Sequence, residues 1–127
     1  MDMLLKDKTA LVTGASVGIG AAIAKALAAE GVRVAISARR VDKLNDTAAA
    51  IKAAGGPEPV ILESDLYQPD AATSLAERAV KALGGVDILI NNAGGSRPFK
   101  DLHVSEAQWE EAMTLNFHRP RQLADAL

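Results

Sequence analysis

Cysteine is absent from these 127 residues, aromatic side chains make up only 3%, and histidine occurs twice. Without cysteine there is no disulfide framework and no thiolate chemistry. The composition suits a reducing cytoplasm, which is the expected location. His103 and His118 are isolated from one another and from any ligand cluster, so no metal site is expected. Neither sign of charge dominates: the formal net charge is −2. That leaves no electrostatic footprint for nucleic acid or for an anionic membrane surface. Long apolar runs are missing too. The alanine-rich stretches are interrupted by Lys25 and Glu30, and the later ones by Asp87, so none has the length to span a bilayer. The opening "MDMLLKDK" does not read as a signal peptide.

What is present is ordinary in amount and specific in arrangement. Hydrophobic residues make up 49% and charged residues 24%, which supports one domain, residues 1–127, with a sizeable core. Apolar β-like runs alternate with alanine-rich helical stretches. The expected strands are Thr9–Thr13, Val32–Ser37, Pro59–Ser64 and Val86–Asn91. The expected helices are Ile19–Glu30, Asp42–Ala54 and Pro69–Leu83, stopped by Gly31, by Gly55–Pro57 and by Gly84–Gly85. Ser105 with Gln108 makes a capping box for a helix through Trp109 and Met113, and Pro120 should break or restart it. The strands are continuously apolar, as strands buried on both faces are. Repeated strand–helix units of this kind predict a doubly wound parallel α/β sheet.

The densest feature is "TGASVGIG", Thr13–Gly20, between the first strand and the first helix. Glycine admits positive φ and lets backbone come close to a ligand. A helix N-terminus adds free N–H groups and a dipole that favours an anion. Hydroxyls of Thr13 and Ser16 can add hydrogen bonds. Alone, the loop admits two readings, a phosphate cradle or a tight turn without ligand.

Gly14, Gly18 and Gly20 are spaced G-x-x-x-G-x-G, which is neither G-x-G-x-x-G nor a Walker loop. With "SDL" at Ser64–Leu66, "NNAG" at Asn91–Gly94 and "MTLNF" around Asn116, the chain resembles the short-chain dehydrogenase/reductase family over nearly its whole length. The resemblance implies a Rossmann-type sheet with strand order 3-2-1-4, followed by strands that would lie beyond Leu127. It implies NAD(P)(H) bound by Thr13, Gly14, Ser16, Val17, Gly18, Ile19 and Gly20, by Ala38, Arg39 and Arg40, by Asp65 and Leu66 on the adenine side, and by Asn92, Ala93 and Gly94. In an open α/β sheet these positions fall at the carboxyl ends of strands, where ligands bind.

The second strand runs into Ala38, Arg39 and Arg40, where an NAD enzyme usually carries an acid for the ribose hydroxyls. Arg39 can pair with a 2′-phosphate, so NADP(H) is the expected cofactor and NAD(H) the alternative. Val17 stands where NADP-preferring relatives often carry a basic residue. Asn116 is the one family catalytic position in the chain. The only tyrosine, Tyr67, has Ala71 four residues on, where the family's tyrosine is followed by a lysine, and it is expected to pack. The chain therefore reads as the cofactor-binding, N-terminal portion of an oxidoreductase acting on a carbonyl or secondary alcohol, 3-oxoacyl thioesters among the options. A dinucleotide-binding module without chemistry is the alternative. The resemblance also implies a dimer or tetramer, formed through the helix that runs to Leu127. Ser96, Arg97 and Phe99 are candidates to approach a substrate. A sheet ending on the fourth strand would leave a long apolar edge open to pairing.

Overall fold

The computed structural model describes residues 2–94 and 103–127. Ser96, Arg97 and Phe99 lie outside them. Four strands, β1 (Thr9–Thr13), β2 (Arg33–Ala38), β3 (Val60–Glu63) and β4 (Ile88–Ile90), form one parallel sheet in the order β3-β2-β1-β4. β1 is central. Leu11 sits opposite Ala35 of β2 on one side and opposite Leu89 of β4 on the other. β2 continues to β3 with Ala35 opposite Val60 and Ala38 opposite Glu63.

The alternation of side chains explains why the runs are continuously apolar. Ala10 and Val12 point to one face and pack with Val34, Ile36, Leu44 and Ile51 under α1 (Gly18–Ala29) and α2 (Val41–Ala53). Leu11 points to the other face and packs with Leu62, Leu75, Ala79 and Leu123 under α3 (Ala71–Leu83) and α5 (Arg119–Ala126). Both faces are covered, so both positions of the period-two repeat must be apolar. Leu11, Leu75 and Leu123 are fully buried, each worth about 1.5–3 kcal/mol relative to exposure.

β4 is shorter than Val86–Asn91 because polar ties claim both its flanks. Asp87 lies before it: its carboxylate accepts from Thr9 N–H at 2.9 Å, and its own N–H donates to Thr9 Oγ1 at 3.0 Å. The Thr9 N–H holds the Asp87 carboxyl below its ordinary value of 3.8. After β4, Asn92 N–H turns inward to Thr13 Oγ1 at 3.1 Å.

The helix after residue 103 carries the expected capping box. Ser105 Oγ accepts from Gln108 N–H, and Gln108 Oε1 accepts from Ser105 N–H, opening α4 (Glu106–Met113). Pro120 restarts rather than ends the helical path. A π-helical turn, Thr114–His118, follows α4, and α5 begins with the proline in its first turn, where a missing N–H costs least. Among the described residues no helix is long and apolar enough to cross a membrane.

Candidate functional site

A cleft of about 450 Å³ opens at the carboxyl ends of β1, β2, β3 and β4. That lies within the range of small-molecule sites, about 300–1,000 Å³. Thr13, Gly14, Ser16 and Val17 line it from the glycine-rich loop, and Ala38, Arg39 and Arg40 from the end of β2. Asp65, Leu66 and Tyr67 line it beyond β3, and Asn92, Ala93 and Gly94 beyond β4. One fold feature, the shared carboxyl edge of a parallel sheet, thus gathers segments scattered over some eighty positions of sequence.

The three loop glycines serve different ends. Gly14 has φ +63°, and a Cβ there would stand 2.8 Å from Asn92 Nδ2. Gly18 has φ +61° with open space around it, so its need is conformational alone. Gly20 has no positive φ, but a Cβ there would strike Gly14 O and approach Asn92 Nδ2. Its bareness lets α1 start flush against the loop. Gly18, Ile19 and Gly20 begin α1 behind the lining, with Ile19 largely exposed.

α1 is poorly finished at its N-terminus. Val17, its N-cap, offers no side-chain hydrogen bond, and the first turn holds no acid. By contrast, α4 has its capping box and α2 has Asp42 in its first turn. The orphan amides of α1 therefore meet no anion from its own cap or first turn, the condition under which a helix start suits a phosphate.

Several expected ligand residues turn out to be tied within the protein. Thr13 is buried. Its hydroxyl donates to Ile90 O at 3.3 Å and accepts from Asn92 N–H at 3.1 Å and Ala93 N–H at 2.9 Å. It knots β1 to the segment after β4 instead of reaching outward. Asn92 Nδ2 donates to Gly14 O at 3.1 Å, closing the same knot from the other side. Asn91 Nδ2 donates to Pro120 O. Asp65 accepts from Tyr67 N–H at 3.0 Å and from Gln68 Nε2 at 3.4 Å, so it also shapes its own turn. Tyr67 packs against the core beneath α3, as expected.

The two arginines after β2 differ. Arg40 is engaged with Asp42 at 2.8 Å, and that guanidinium holds the Asp42 carboxyl below its ordinary value. Arg39 has no ion pair among the described residues and faces the cleft. Among the described residues no acid lines the end of β2 itself, and Asp65, beyond β3, is the one carboxylate on the lining.

Asn116 sits in the π-helical turn, a form found often at functional sites. Its Nδ2 donates to Ala112 O at 2.8 Å, and its Oδ1 lies 2.8 Å from where a Cβ on Gly94 would stand. Two residues escaped the sequence reading. Arg119 donates to Leu66 O at 2.7 Å and to Gln122 Oε1 at 2.9 Å, strapping the turn after β3 to α5. Thr47 of α2 lies under the glycine-rich loop and donates to its carbonyls. Neither belongs to a local spacing pattern.

Comparison with known proteins agrees with this fold. The family model described as short chain dehydrogenase matches residues 8–126. Dehydrogenase/reductase SDR family member 11 of Bos taurus is 42% identical over 112 residues, 87% of this chain and 44% of that protein. A metagenomic short-chain oxidoreductase, crystallised in complex with NADP, superposes with a TM-score of 0.89 at 40% identity, covering 97% of this chain and 56% of that one. L-sorbose reductase from Gluconobacter frateurii, complexed with NADPH and L-sorbose, superposes with a TM-score of 0.91 at 33% identity, covering 100% of this chain and 48% of that one. The chain spans less than half the length of the curated relatives it matches. By the extent of that match, and by a fold that superposes on those structures, the chain belongs to the short chain dehydrogenase family.

Proposed function

We infer that this chain is the NADP(H)-binding half of an oxidoreductase that moves a hydride between a nicotinamide and a carbonyl or secondary alcohol carbon. The observation that carries the reading is the end of β2, where Arg39, without an ion pair among the described residues, faces a cleft whose β2 side carries no acid among them. An acid at this place would repel a 2′-phosphate, whereas a guanidinium forms charge-assisted hydrogen bonds with one.

The remaining roles follow from position. The amides of the loop from Ser16 to Ile19 and the Ser16 hydroxyl hold the pyrophosphate at the start of α1, while Ala15 N–H is taken by Ser37 O at 3.1 Å. Ala38 and Arg39 take the adenosine ribose and its phosphate, with Arg40 shared with Asp42. Asp65 and Leu66 border the adenine. The Ala93–Gly94 backbone passes the ribose, and Asn116 stands beside Gly94. When bound, the nicotinamide supplies or accepts the hydride. Of the family's catalytic set only Asn116 is among these residues, and Tyr67 has no lysine four positions on. That observation favours the second reading, in which the 127 residues by themselves grip a dinucleotide without turning it over. Substrates of the 3-oxoacyl or secondary-alcohol kind fit the first reading. Trp109, Met113 and Phe117, exposed at four-residue spacing along the helical path, suit a dimer or tetramer contact. A cytoplasmic location is consistent with the absence of cysteine.

Titration with the two reduced cofactors tests the reading. NADPH is expected to bind more tightly than NADH. Arg39→Ala is expected to weaken NADPH by about tenfold to a hundredfold, the scale of one charge-assisted hydrogen bond, while leaving NADH almost unchanged. Tighter binding of NADH, or an Arg39→Ala variant with unaltered NADPH affinity, would count against it.

A further inference from the structure

Thr47 is buried, 3% exposed, in the middle of α2. Its hydroxyl lies 3.0 Å from Ala15 O and 3.2 Å from Ser16 O, across 32 and 31 positions of sequence. A helical threonine ordinarily satisfies itself on the carbonyl four residues back. Here that contact, to Lys43 O, is the longest of the three at 3.5 Å. A hydroxyl has one proton to give. It is therefore shared chiefly between the two loop carbonyls.

A trans peptide group is planar, with its C=O and the next N–H pointing in opposite directions. Drawing the Ala15 and Ser16 carbonyls toward α2 turns the N–H groups of Ser16 and Val17 away from it. Neither N–H has an acceptor among the described residues. Both residues line the cleft, at the helix start that has neither side-chain cap nor acid. The outcome is a pair of adjacent donors held in fixed orientation, an arrangement suited to a phosphate.

We propose that Thr47 is a positioning residue for cofactor phosphate: by anchoring the Ala15 and Ser16 carbonyls, it aims the Ser16 and Val17 amides at a phosphate of the bound dinucleotide. The proposal rests on the dinucleotide reading above. Its own content is that α2 sets the donor geometry of a loop to which it is joined only through space.

Thr47→Val keeps the branched shape and removes the hydroxyl; Thr47→Ser keeps the hydroxyl and removes the methyl. Dissociation constants are measured for NADPH, 2′,5′-ADP and adenosine, well below each variant's melting temperature. Thr47→Val is expected to weaken NADPH and 2′,5′-ADP by about tenfold and to leave adenosine unchanged, because only the phosphate donors are misaimed. Thr47→Ser is expected to restore phosphate binding. If Thr47→Val does not fold, Thr47→Ala carries the same expectation. Unchanged binding of the phosphate ligands, an equal loss for adenosine, or no recovery in Thr47→Ser overturns the proposal. Failure of the unaltered chain to bind NADPH or NADH at all would instead overturn the dinucleotide reading beneath it.

Discussion

Gly20→Ala is expected to lower stability by about 3 kcal/mol, the upper range for forcing one extra methyl into packed surroundings, and to abolish cofactor binding. The new Cβ would meet the Gly14 carbonyl and stand 2.5 Å from Asn92 Nδ2. The first obstacle is backbone, which cannot swing aside as a side chain can. The second is the amide that closes the loop onto the segment after β4 at 3.1 Å. Either α1 retreats or the Gly14–Asn92 tie opens, and each outcome disperses the cleft. Gly18→Ala provides the contrast. Its Cβ would enter open space, so only the positive φ is penalised, at about 1–2 kcal/mol. Urea melts of the two variants check the order. A Gly20→Ala protein as stable as Gly18→Ala would show that close approach is not what Gly20 supplies.

Thr13→Val is expected to cost a similar amount, about 3 kcal/mol, though it preserves shape. The hydroxyl accepts from two N–H groups, those of Asn92 and Ala93, in a site only 1% exposed. Asn92 N–H keeps a second acceptor in Ile90 O at 3.1 Å, but Ala93 N–H loses its acceptor, and a donor stranded in such a place costs about 1–3 kcal/mol. Loss of the knot also frees the Ala93–Gly94 backbone, so NADPH affinity should fall together with stability. Both are read from one set of samples, by denaturation midpoint and by titration. If Thr13→Val lost cofactor affinity at unchanged stability, the hydroxyl would be acting on ligand directly. That was the first expectation for this residue, and the geometry here turns it inward.

The case of Thr13 shows where sequence reading reached its end. The parallel sheet was legible because burial on both faces removes the polar half of the period-two pattern, leaving runs such as "TALVT". The cleft was legible because glycines, an acid-free strand end and an Asn-rich turn each fall where a strand stops. The direction in which each side chain spends its hydrogen bonds was not legible. Thr13 beside a glycine-rich loop is chemically fit to hold a phosphate or to tie two strands, and its actual partners lie 77 to 80 positions away. Thr47, inside the alanine-rich run of α2, carries no local mark at all, and its partners come from a different turn of the fold. Arg119 is similar, since the turn it straps is distant in sequence. Pro120 marked a disturbance correctly, and the π-helical turn before it shows how the chain absorbs that disturbance without ending the helical path.

The central claim is that one cleft, at the carboxyl ends of four parallel strands, holds a dinucleotide with phosphate at the glycine-rich loop. The most direct measurement is a titration of the isotope-labelled chain with NADPH, followed through its backbone amide resonances. The account predicts saturable changes concentrated at Ser16, Val17 and Gly18, at Arg39, at Leu66 and at Ala93, with the exposed face of α3 unmoved. Saturable changes centred elsewhere, or amides of the loop that stay still while NADPH binds, would contradict it.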